Sequence, residues 1–303
     1  MAQPAAQSSK YDLPTVRGSY RFDVPLAPTN WFRVGGVADV LFKPADAQDL
    51  ADFLRAVPAS VPVTVIGVGS NLIIRDGGLE GVVIRLGRGF TDITIEGDVL
   101  VAGAAVLDVN VARFAADHGR AGLEFYAGIP GTIGGALAMN AGAYEGETKD
   151  VLIKAEAVDR AGKIHTLSVE DCNYTYRHFG GQEGLIFTKA WFKTSAGESA
   201  AIHTRITEIT TKREATQPVR ERTGGSTFKN PEGHKAWQLV DGAGCRGLTI
   251  DGAQMSPMHC NFMINTGNAT AAALEALGDE VRKRVKAHSG VELEWEIKRI
   301  GRR

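Results

Sequence analysis

The first half of the chain contains short runs in which apolar or β-branched residues alternate with polar ones. Such runs, bounded by Gly or Asp-Gly turn signals, predict β-strands. They cover residues 38–42, 61–66, 81–86, 92–95 and 99–102. Ahead of them, Pro14, Pro25 and Pro28 interrupt residues 12–30, which predicts an irregular arm that wraps the fold, and we assign residues 1–28 to it.

Two segments of this half carry apolar residues at the spacing of an amphipathic helix. Residues 47–57 follow Asp46, whose side chain suits an N-cap, and residues 107–118 end at Gly119, a typical helix stop. An amphipathic helix buries its apolar side, so we expect each helix to cover a sheet.

Beyond residue 150, strands and helices continue without strict βαβ alternation. The patterns predict a hairpin over 154–167, a strand over 185–193, a helix with Ile202, Ile206 and Ile209 on one face, a short helix at 237–240, a strand over 261–265, a helix carrying Leu274, Leu277, Val281 and Val285, and a last strand over 291–297. This mixture favours an α+β fold over a doubly wound parallel sheet.

A small, polar run at residues 193–199 predicts a domain boundary. We therefore expect a first domain over 29–196, with lobes at about 29–87 and 88–196, and a self-contained second domain over 197–303. A chain of 303 residues is long enough for two domains.

Composition narrows the class of protein. Lys and Arg number 34 against 35 Asp and Glu, with no basic run, so we expect no nucleic-acid partner. No apolar run reaches the length of a membrane helix and the N-terminus lacks a signal-peptide core, which predicts a cytoplasmic protein without a membrane partner. Cys172, Cys245 and Cys260 are widely spaced, so neither a disulfide framework nor a metal site is expected.

Two glycine-rich segments, residues 128–147 and 67–71, are the first candidates for ligand binding. Glycines expose backbone N–H groups and let a flat, phosphate-bearing ligand approach the main chain. The alternative is a tight packing loop. A Rossmann fingerprint is disfavoured because residues 67–71 lack the third glycine and continue into a strand. Together the two segments suit a dinucleotide lying across one domain.

Three further features could carry chemistry. Ser226, in a glycine turn, is a candidate proton donor or merely a turn cap. Arg177 lies between aromatic residues, where a guanidinium is often simply stacked or paired, and its functional alternative is to bind a carboxylate in a bidentate fork. Alternation over 291–297 puts Glu292, Glu294 and Glu296 on one face, and spacing alone does not separate a functional carboxylate from solvated ones.

Six motifs occur in the order typical of one enzyme family. They are residues 30–36 (NWFRVGG), 67–71 (GVGSN), 128–144 (GIPGTIGGALAMNAGAY), 176–177 (YR), 225–231 (GSTFKNP) and 295–301 (WEIKRIG). In them the chain resembles the UDP-N-acetylenolpyruvoylglucosamine reductase family. The resemblance implies an α+β flavoenzyme with a two-lobed FAD-binding fold of the vanillyl-alcohol oxidase (PCMH) type and a C-terminal α+β substrate domain.

The resemblance also implies an activity and its partners. Such an enzyme uses non-covalent FAD and NADPH to reduce UDP-N-acetylglucosamine enolpyruvate to UDP-N-acetylmuramate for peptidoglycan. By this resemblance Arg177 polarises the enolpyruvyl carboxylate, Ser226 donates a proton, and Glu296 is a second acid at that carboxylate. The implied FAD-binding residues are Gly67, Val68, Gly69, Ser70, Asn71, Ile129, Pro130, Gly131, Thr132, Gly134, Gly135, Asn140 and Gly142.

The substrate site is less closely matched. Asn230 matches a substrate-site position, and Tyr144, Lys229 and His259 are further candidates. Residues 177–187 lack the insertion that carries a substrate-covering tyrosine in one branch, so the chain resembles the shorter, second type. We expect a monomer. The rival interpretations are an oxidase of the same flavin fold, disfavoured because residues 67–78 contain no histidine for a covalent flavin, and a nucleotide-binding module without redox activity.

Overall fold

A four-stranded sheet forms the first lobe in a computed structural model that describes residues 10–303. Its strands are β1 (Ser19–Pro25), β2 (Val37–Lys43), β3 (Val63–Val65) and β5 (Leu79–Ile84). The short strand β4 (Leu72–Ile74) lies outside this sheet. The sheet order is β1-β2-β5-β3; β1 is antiparallel to β2, and β2 and β3 are parallel to β5. Helix α1 (Ala47–Ala56) covers it, and Asp46 caps that helix as predicted.

The N-terminal segment is not an irregular arm throughout. Residues 19–25 form β1, with Ser19 opposite Lys43 and Pro25 opposite Val37. Because β1 is an edge strand, a proline at its end costs no ladder hydrogen bond. The prediction of an arm is therefore wrong for this stretch, and residues 1–9 of the predicted arm lie outside the described part of the chain.

The second lobe is a five-stranded antiparallel sheet with helices packed on it. The sheet order is β12-β11-β13-β7-β6, built from β6 (Ile93–Glu96), β7 (Val99–Gly103), β11 (Leu152–Val158), β12 (Ile164–Ser168) and β13 (Ile186–Lys193). Smaller elements are β8 (Arg120–Ala121), β9 (Gly142–Ala143), β10 (Gly146–Glu147), β14 (Ser195–Ala196), α4 (Thr148–Val151) and α5 (Val169–Cys172). The helices α2 (Asp108–Asp117) and α3 (Ile133–Met139) share the core of this lobe. Helix α3 lies inside the glycine-rich segment.

Helix α6 (Ser199–Thr216) belongs to this lobe and not to the second domain. Its buried residues Ile202, Ile206 and Ile209 lie in the same core as Leu123 and Phe192. The expected boundary near residue 196 is wrong for this helix, because a polar run marks a loop whether or not a domain ends there.

The C-terminal unit is a small antiparallel sheet covered by two helices. Its order is β15-β18-β17-β16, from β15 (Arg222–Ser226), β16 (Thr249–Ile250), β17 (Ala253–Met255) and β18 (Phe262–Asn265), with α7 (Ala236–Gly242) and α8 (Ala271–Ser289). The last strand, β19 (Lys298–Ile300), pairs in parallel with β4 of the first lobe. The tail is therefore not self-contained. No helix within residues 10–303 is long and apolar enough to cross a membrane.

The predicted strand over 291–297 is only an extended segment. Trp295 forms an isolated bridge with Phe228, and the regular strand β19 starts at Lys298. Leu293 and Ile297 are buried as the alternation requires. Alternation of buried and exposed residues indicates an extended backbone. A β-strand also needs a continuous ladder of hydrogen bonds to a neighbouring strand, so the alternation alone does not establish a strand here.

Hydrogen bonds of two acidic side chains, Asp76 and Glu275, connect helix α8 to the first lobe. Asp76 accepts hydrogen bonds from the backbone N–H groups of Ala271 and Ala272, each at 3.0 Å, and Arg75 Nε donates to Glu275 Oε1 at 2.9 Å. Asp76 thus satisfies N–H groups that the first turn of a helix leaves free.

We expect Asp76→Ala to destabilise the protein by about 0.5–2 kcal/mol, the usual cost of losing a helix cap. The midpoint of urea unfolding measures this. Asp279→Ala is the matched control, since Asp279 is exposed on the same helix, and should cost less than about 0.5 kcal/mol. Equal shifts for both variants would contradict the capping role.

Candidate active site

The first glycine segment joins β3 to β4 and packs tightly against its neighbours. Gly69 has φ +69°, and a Cβ there would lie 2.6 Å from the Cβ of Asn30, so glycine is required. Asn71 Nδ2 donates to the backbone oxygen of Glu296 at 3.2 Å. This loop is therefore both a packing loop and a contact to the C-terminal chain.

The two glycine segments face each other. A Cβ at Gly67 would lie 3.0 Å from Thr132 Oγ1, and one at Gly131 would lie 2.7 Å from Asp108 Oδ2 and 3.8 Å from Ser70 Oγ. The two segments are far apart in the chain, so it is the fold that brings Ser70 beside Gly131.

Helix α3 begins directly after this contact. Gly134 packs against the backbone of Ala104, whereas Gly135 is exposed and a Cβ there would meet only Thr132 Oγ1, at 3.8 Å. One glycine of the pair serves packing, and the other leaves the surface of the helix open. The predicted contacts Val68, Ile129 and Pro130 belong to the same two loops.

Asn140 links the glycine-rich segment to the loop that carries Arg177. It is buried at φ +47°, donates to Thr175 O at 3.0 Å and Glu147 Oε2 at 3.1 Å, and accepts from the N–H of Lys149 at 3.0 Å. Its side-chain amide is thereby used within the protein, and its expected contact with FAD stays a prediction.

Arg177 is the centre of the polar cluster between the first domain and the C-terminal chain. Its Nε donates to Glu296 Oε1 at 3.2 Å, its Nη2 donates to Gly142 O at 2.7 Å, and its Nη1 lies 3.9 Å from Glu147 Oε1. The guanidinium carbon also lies 4.9 Å from the centre of the Tyr176 ring. Arg177 thus stacks on an aromatic ring and pairs with protein carboxyl groups. Its binding of a substrate carboxylate stays a prediction.

Glu296 is the least exposed of the three carboxylates. Its side chain is 14% exposed, whereas that of Glu294 is 76% exposed. Burial raises the pKa of Glu296 above its usual value, and Arg177 only partly offsets this. The burial that spacing could not reveal therefore separates Glu296 from its neighbours.

Ser226 ends β15 on the chain that runs beside Glu296. It pairs with Phe262 after a register shift, and the next residue, Thr227, accepts the N–H of Glu296 at 2.8 Å. Gly225 before it has φ +76°, which favours glycine. The structure thus brings the second-domain serine to the segment that carries Glu296.

The four substrate-site candidates are spread around this cluster. Lys229 Nζ donates to the exposed Glu294 at 3.4 Å, and Asn230 Oδ1 accepts the N–H of Ala236 at the start of α7, at 2.9 Å. His259 Nδ1 accepts the N–H of Asn261 at 3.3 Å.

Burial lowers the pKa of His259, so its imidazole is neutral near pH 7. Tyr144 has φ +49° and its ring packs against Gly128, with Lys212 Nζ 5.9 Å from the ring centre. Asn230 and Tyr144 therefore also serve the fold.

Two carboxyl groups in this region, those of Glu147 and Asp108, are not among the residues predicted from the sequence. Glu147 ends the glycine-rich segment, and its charge in an otherwise apolar stretch was the available signal. Asp108 is fully buried at the start of α2 with no hydrogen-bond partner for either oxygen, and burial raises its pKa well above the usual range. Acidic residues are common in the first turn of a helix, so no local pattern distinguishes Asp108 from an ordinary one.

The geometry fits a flavin dinucleotide. Two facing glycine loops leave backbone approachable, and Gly135 leaves the adjoining face of α3 open. Among residues 10–303 no cluster of His, Cys, Asp or Glu is suited to a metal ion.

Fold and site together define an FAD-binding flavoprotein, and a family model described as "FAD binding domain" matches residues 38–168. A second model, "UDP-N-acetylenolpyruvoylglucosamine reductase, C-terminal domain", matches residues 217–300. The chain belongs to the UDP-N-acetylenolpyruvoylglucosamine reductase family. It is a reductase of peptidoglycan precursor synthesis that uses FAD and NADPH, so the resemblance, the fold class and the cofactors expected from the sequence are confirmed.

Three relatives match this chain over nearly their whole length. The UDP-N-acetylenolpyruvoylglucosamine reductase of Parvibaculum lavamentivorans is 63% identical, with 99% of this chain and 97% of the relative covered. That of Azorhizobium caulinodans is 64% identical, with 95% and 94% covered. The crystal structure of the Thermus caldophilus enzyme matches with a TM-score of 0.80 and 31% identity, covering 94% of this chain and 99% of that one.

Proposed function

We propose that Arg177, Glu296 and Ser226 carry out the reduction of UDP-N-acetylglucosamine enolpyruvate to UDP-N-acetylmuramate. The observation that carries this assignment is the position of the Arg177 guanidinium, which contacts the buried Glu296 carboxyl and the Gly142 carbonyl at the edge of the glycine segments. A guanidinium fork binds a carboxylate with two parallel hydrogen bonds, and the enolpyruvyl group offers a carboxylate.

The charge that develops during the reaction explains why both groups are needed. When bound, FAD supplies to the substrate double bond a hydride that originates from NADPH. Electron density then accumulates on the carbon next to the substrate carboxylate, which takes on enolate character. Arg177 stabilises that charge, and a protonated Glu296 donates a hydrogen bond to the same group instead of repelling it. The raised pKa of Glu296 supports this protonation state.

Ser226 is proposed to complete the reaction by donating its hydroxyl proton to that carbon. A serine hydroxyl is a weak acid, but the developing carbanion is strongly basic and the serine is held by a strand end and a glycine turn. The hydrogen bond between the N–H of Glu296 and the carbonyl of Thr227 keeps the serine strand beside the acid.

Binding of the nucleotide part of the substrate is proposed for Lys229 and His259, with Tyr144 and Asn230 shaping the site. The ion pair of Lys229 with Glu294 is exposed and contributes little, so the amine is free to exchange to a phosphate. His259 Nδ1 is an acceptor, so its Nε2 carries the proton and is a donor.

The FAD is proposed to lie on residues 67–71 and 129–135, against the open side of α3. We expect Gly135→Leu to lose bound FAD, because a leucine side chain at this open position would occupy the space of the ligand. With FAD removed from both proteins, the variant should be more stable than the unmodified protein by about 0.5–1 kcal/mol, since glycine is a poor helix former. The ratio of flavin to protein absorbance and the unfolding midpoint measure the two effects.

Ala201→Leu is the matched control, because Ala201 is exposed on helix α6 outside both glycine segments. It should retain FAD. Full flavin occupancy in Gly135→Leu would place the cofactor elsewhere.

We further propose that the enzyme acts as a monomer in the cytoplasm. Its three cysteines are buried free thiols, which suits a reducing compartment. Size-exclusion chromatography with light scattering tests the monomer, and a stable dimer mass would contradict it.

A further inference from the structure

Glu147 is a second carboxyl group at Arg177, and it has no role in the proposed reaction. Its Oε1 lies 3.9 Å from Arg177 Nη1, on the other side of the guanidinium from the Nε that donates to Glu296. Arg177 therefore lies between two carboxyl groups, those of Glu296 and Glu147.

The position of Glu147 is fixed by its own neighbours. Asn140 Nδ2 donates to Glu147 Oε2 at 3.1 Å, and Lys149 Nζ lies 2.9 Å from the same oxygen. Glu147 and Asp150 also form a reciprocal capping box at the start of α4. A side chain held by an amide, an ammonium group and a cap cannot leave Arg177 without breaking these contacts.

We infer that Glu147 is a positioning residue, which holds Arg177 and takes up part of its charge, so that Glu296 keeps its proton until substrate binds. The inference rests on the proposed roles of Arg177 and Glu296. An arginine facing a single carboxyl group favours the ionised form of that group. A second, ionised carboxylate on the same guanidinium weakens that effect, and its own negative charge opposes ionisation of Glu296.

The charged groups that face Glu296 come from three places. Arg177 and Lys229 favour its ionised form. Glu147 lies 3.9 Å from Arg177, and we infer that it opposes ionisation of Glu296 through that guanidinium. Lys149 is paired with Glu147, and Glu294 is paired with Lys229. Removing the charge of Glu147 leaves the two cations at Glu296 less compensated, so Glu296 should lose its proton at a lower pH.

The test is the pH dependence of flavin reoxidation by UDP-N-acetylglucosamine enolpyruvate, measured by stopped flow on the FAD-loaded enzyme reduced with NADPH. The rate should fall at high pH as Glu296 ionises. In Glu147→Gln this fall should start at lower pH, giving roughly tenfold slower reoxidation at a pH on the falling limb and little change below it. Flavin reduction by NADPH should be unaffected.

Two further variants make the outcome specific. Glu147→Asp keeps the charge and the cap and should restore the original profile, while Glu145→Gln, an exposed neighbour, should match the unmodified enzyme. A Glu147→Gln profile identical to that of the unmodified enzyme, or one lowered equally at every pH, would overturn the inference.

Glu296→Gln separates this inference from the proposed reaction. If that variant abolishes the falling limb while Glu147→Gln leaves it unmoved, only the role of Glu147 fails. If Glu296→Gln retains the limb, the limb does not report Glu296, and the proposed reaction itself fails.

Discussion

Replacing Ser226 by alanine should leave reduction of the flavin by NADPH nearly unchanged and slow its reoxidation by the enolpyruvyl substrate by roughly 10²–10⁴-fold, the usual contribution of a positioned proton donor. The reason is that Ser226 lies on the C-terminal sheet beside Glu296, outside the glycine segments proposed to hold FAD. Anaerobic stopped-flow absorbance resolves the two half-reactions.

Ser226→Thr is the conservative control, since it keeps a hydroxyl on a strand that tolerates β-branched residues. It should reoxidise faster than the alanine variant. Equal slowing of both half-reactions in Ser226→Ala would remove the serine from the proton-donor role and would indicate a change in the flavin site instead.

Glu296→Gln should reduce the rate of flavin reoxidation by roughly 10²–10³-fold, the typical loss when one group that stabilises a developing anion is changed. Glutamine keeps the size of the side chain but cannot share a proton with the substrate carboxylate. Because burial raises the pKa of Glu296, the protonated form persists as pH rises until that pKa is passed. The unmodified enzyme should therefore keep its activity at low pH and lose it once the pH exceeds the pKa of Glu296.

Glu294→Gln is the matched control for this variant. Glu294 lies two residues away on the same segment, but its side chain is 76% exposed and it contacts Lys229 only through a surface ion pair. We expect a change of less than about threefold, as for other surface pairs. If Glu294→Gln were the more damaging substitution, the choice of Glu296 among the three carboxylates would be wrong.

Much of the fold follows from local patterns, and the errors have long-range causes. Hydrophobic spacing locates α1, α2, α6 and α8, because each buries one apolar stripe. The strand β1 was missed because whether a proline-rich stretch pairs depends on a free sheet edge, which no local pattern shows. The boundary near residue 196 was misplaced because the partner of helix α6 is the core around Phe192, which precedes the polar run.

The site divides in the same way. The motif resemblance points to Arg177 and Glu296, but only the fold brings these two side chains, 119 positions apart, within hydrogen-bond distance. The burial that distinguishes Glu296 from Glu294 depends on that packing. Glu147 remained unassigned because its relation to Arg177 passes through the turn at Asn140, which is set by tertiary contacts.

The anaerobic flavin spectrum of the purified protein, recorded first after addition of NADPH and then after addition of UDP-N-acetylglucosamine enolpyruvate, decides whether this protein reduces that substrate. We expect loss of the oxidised flavin absorbance in the first step and its full return in the second. A flavin that stays reduced with this substrate, and is reoxidised only when dioxygen is admitted, would contradict it.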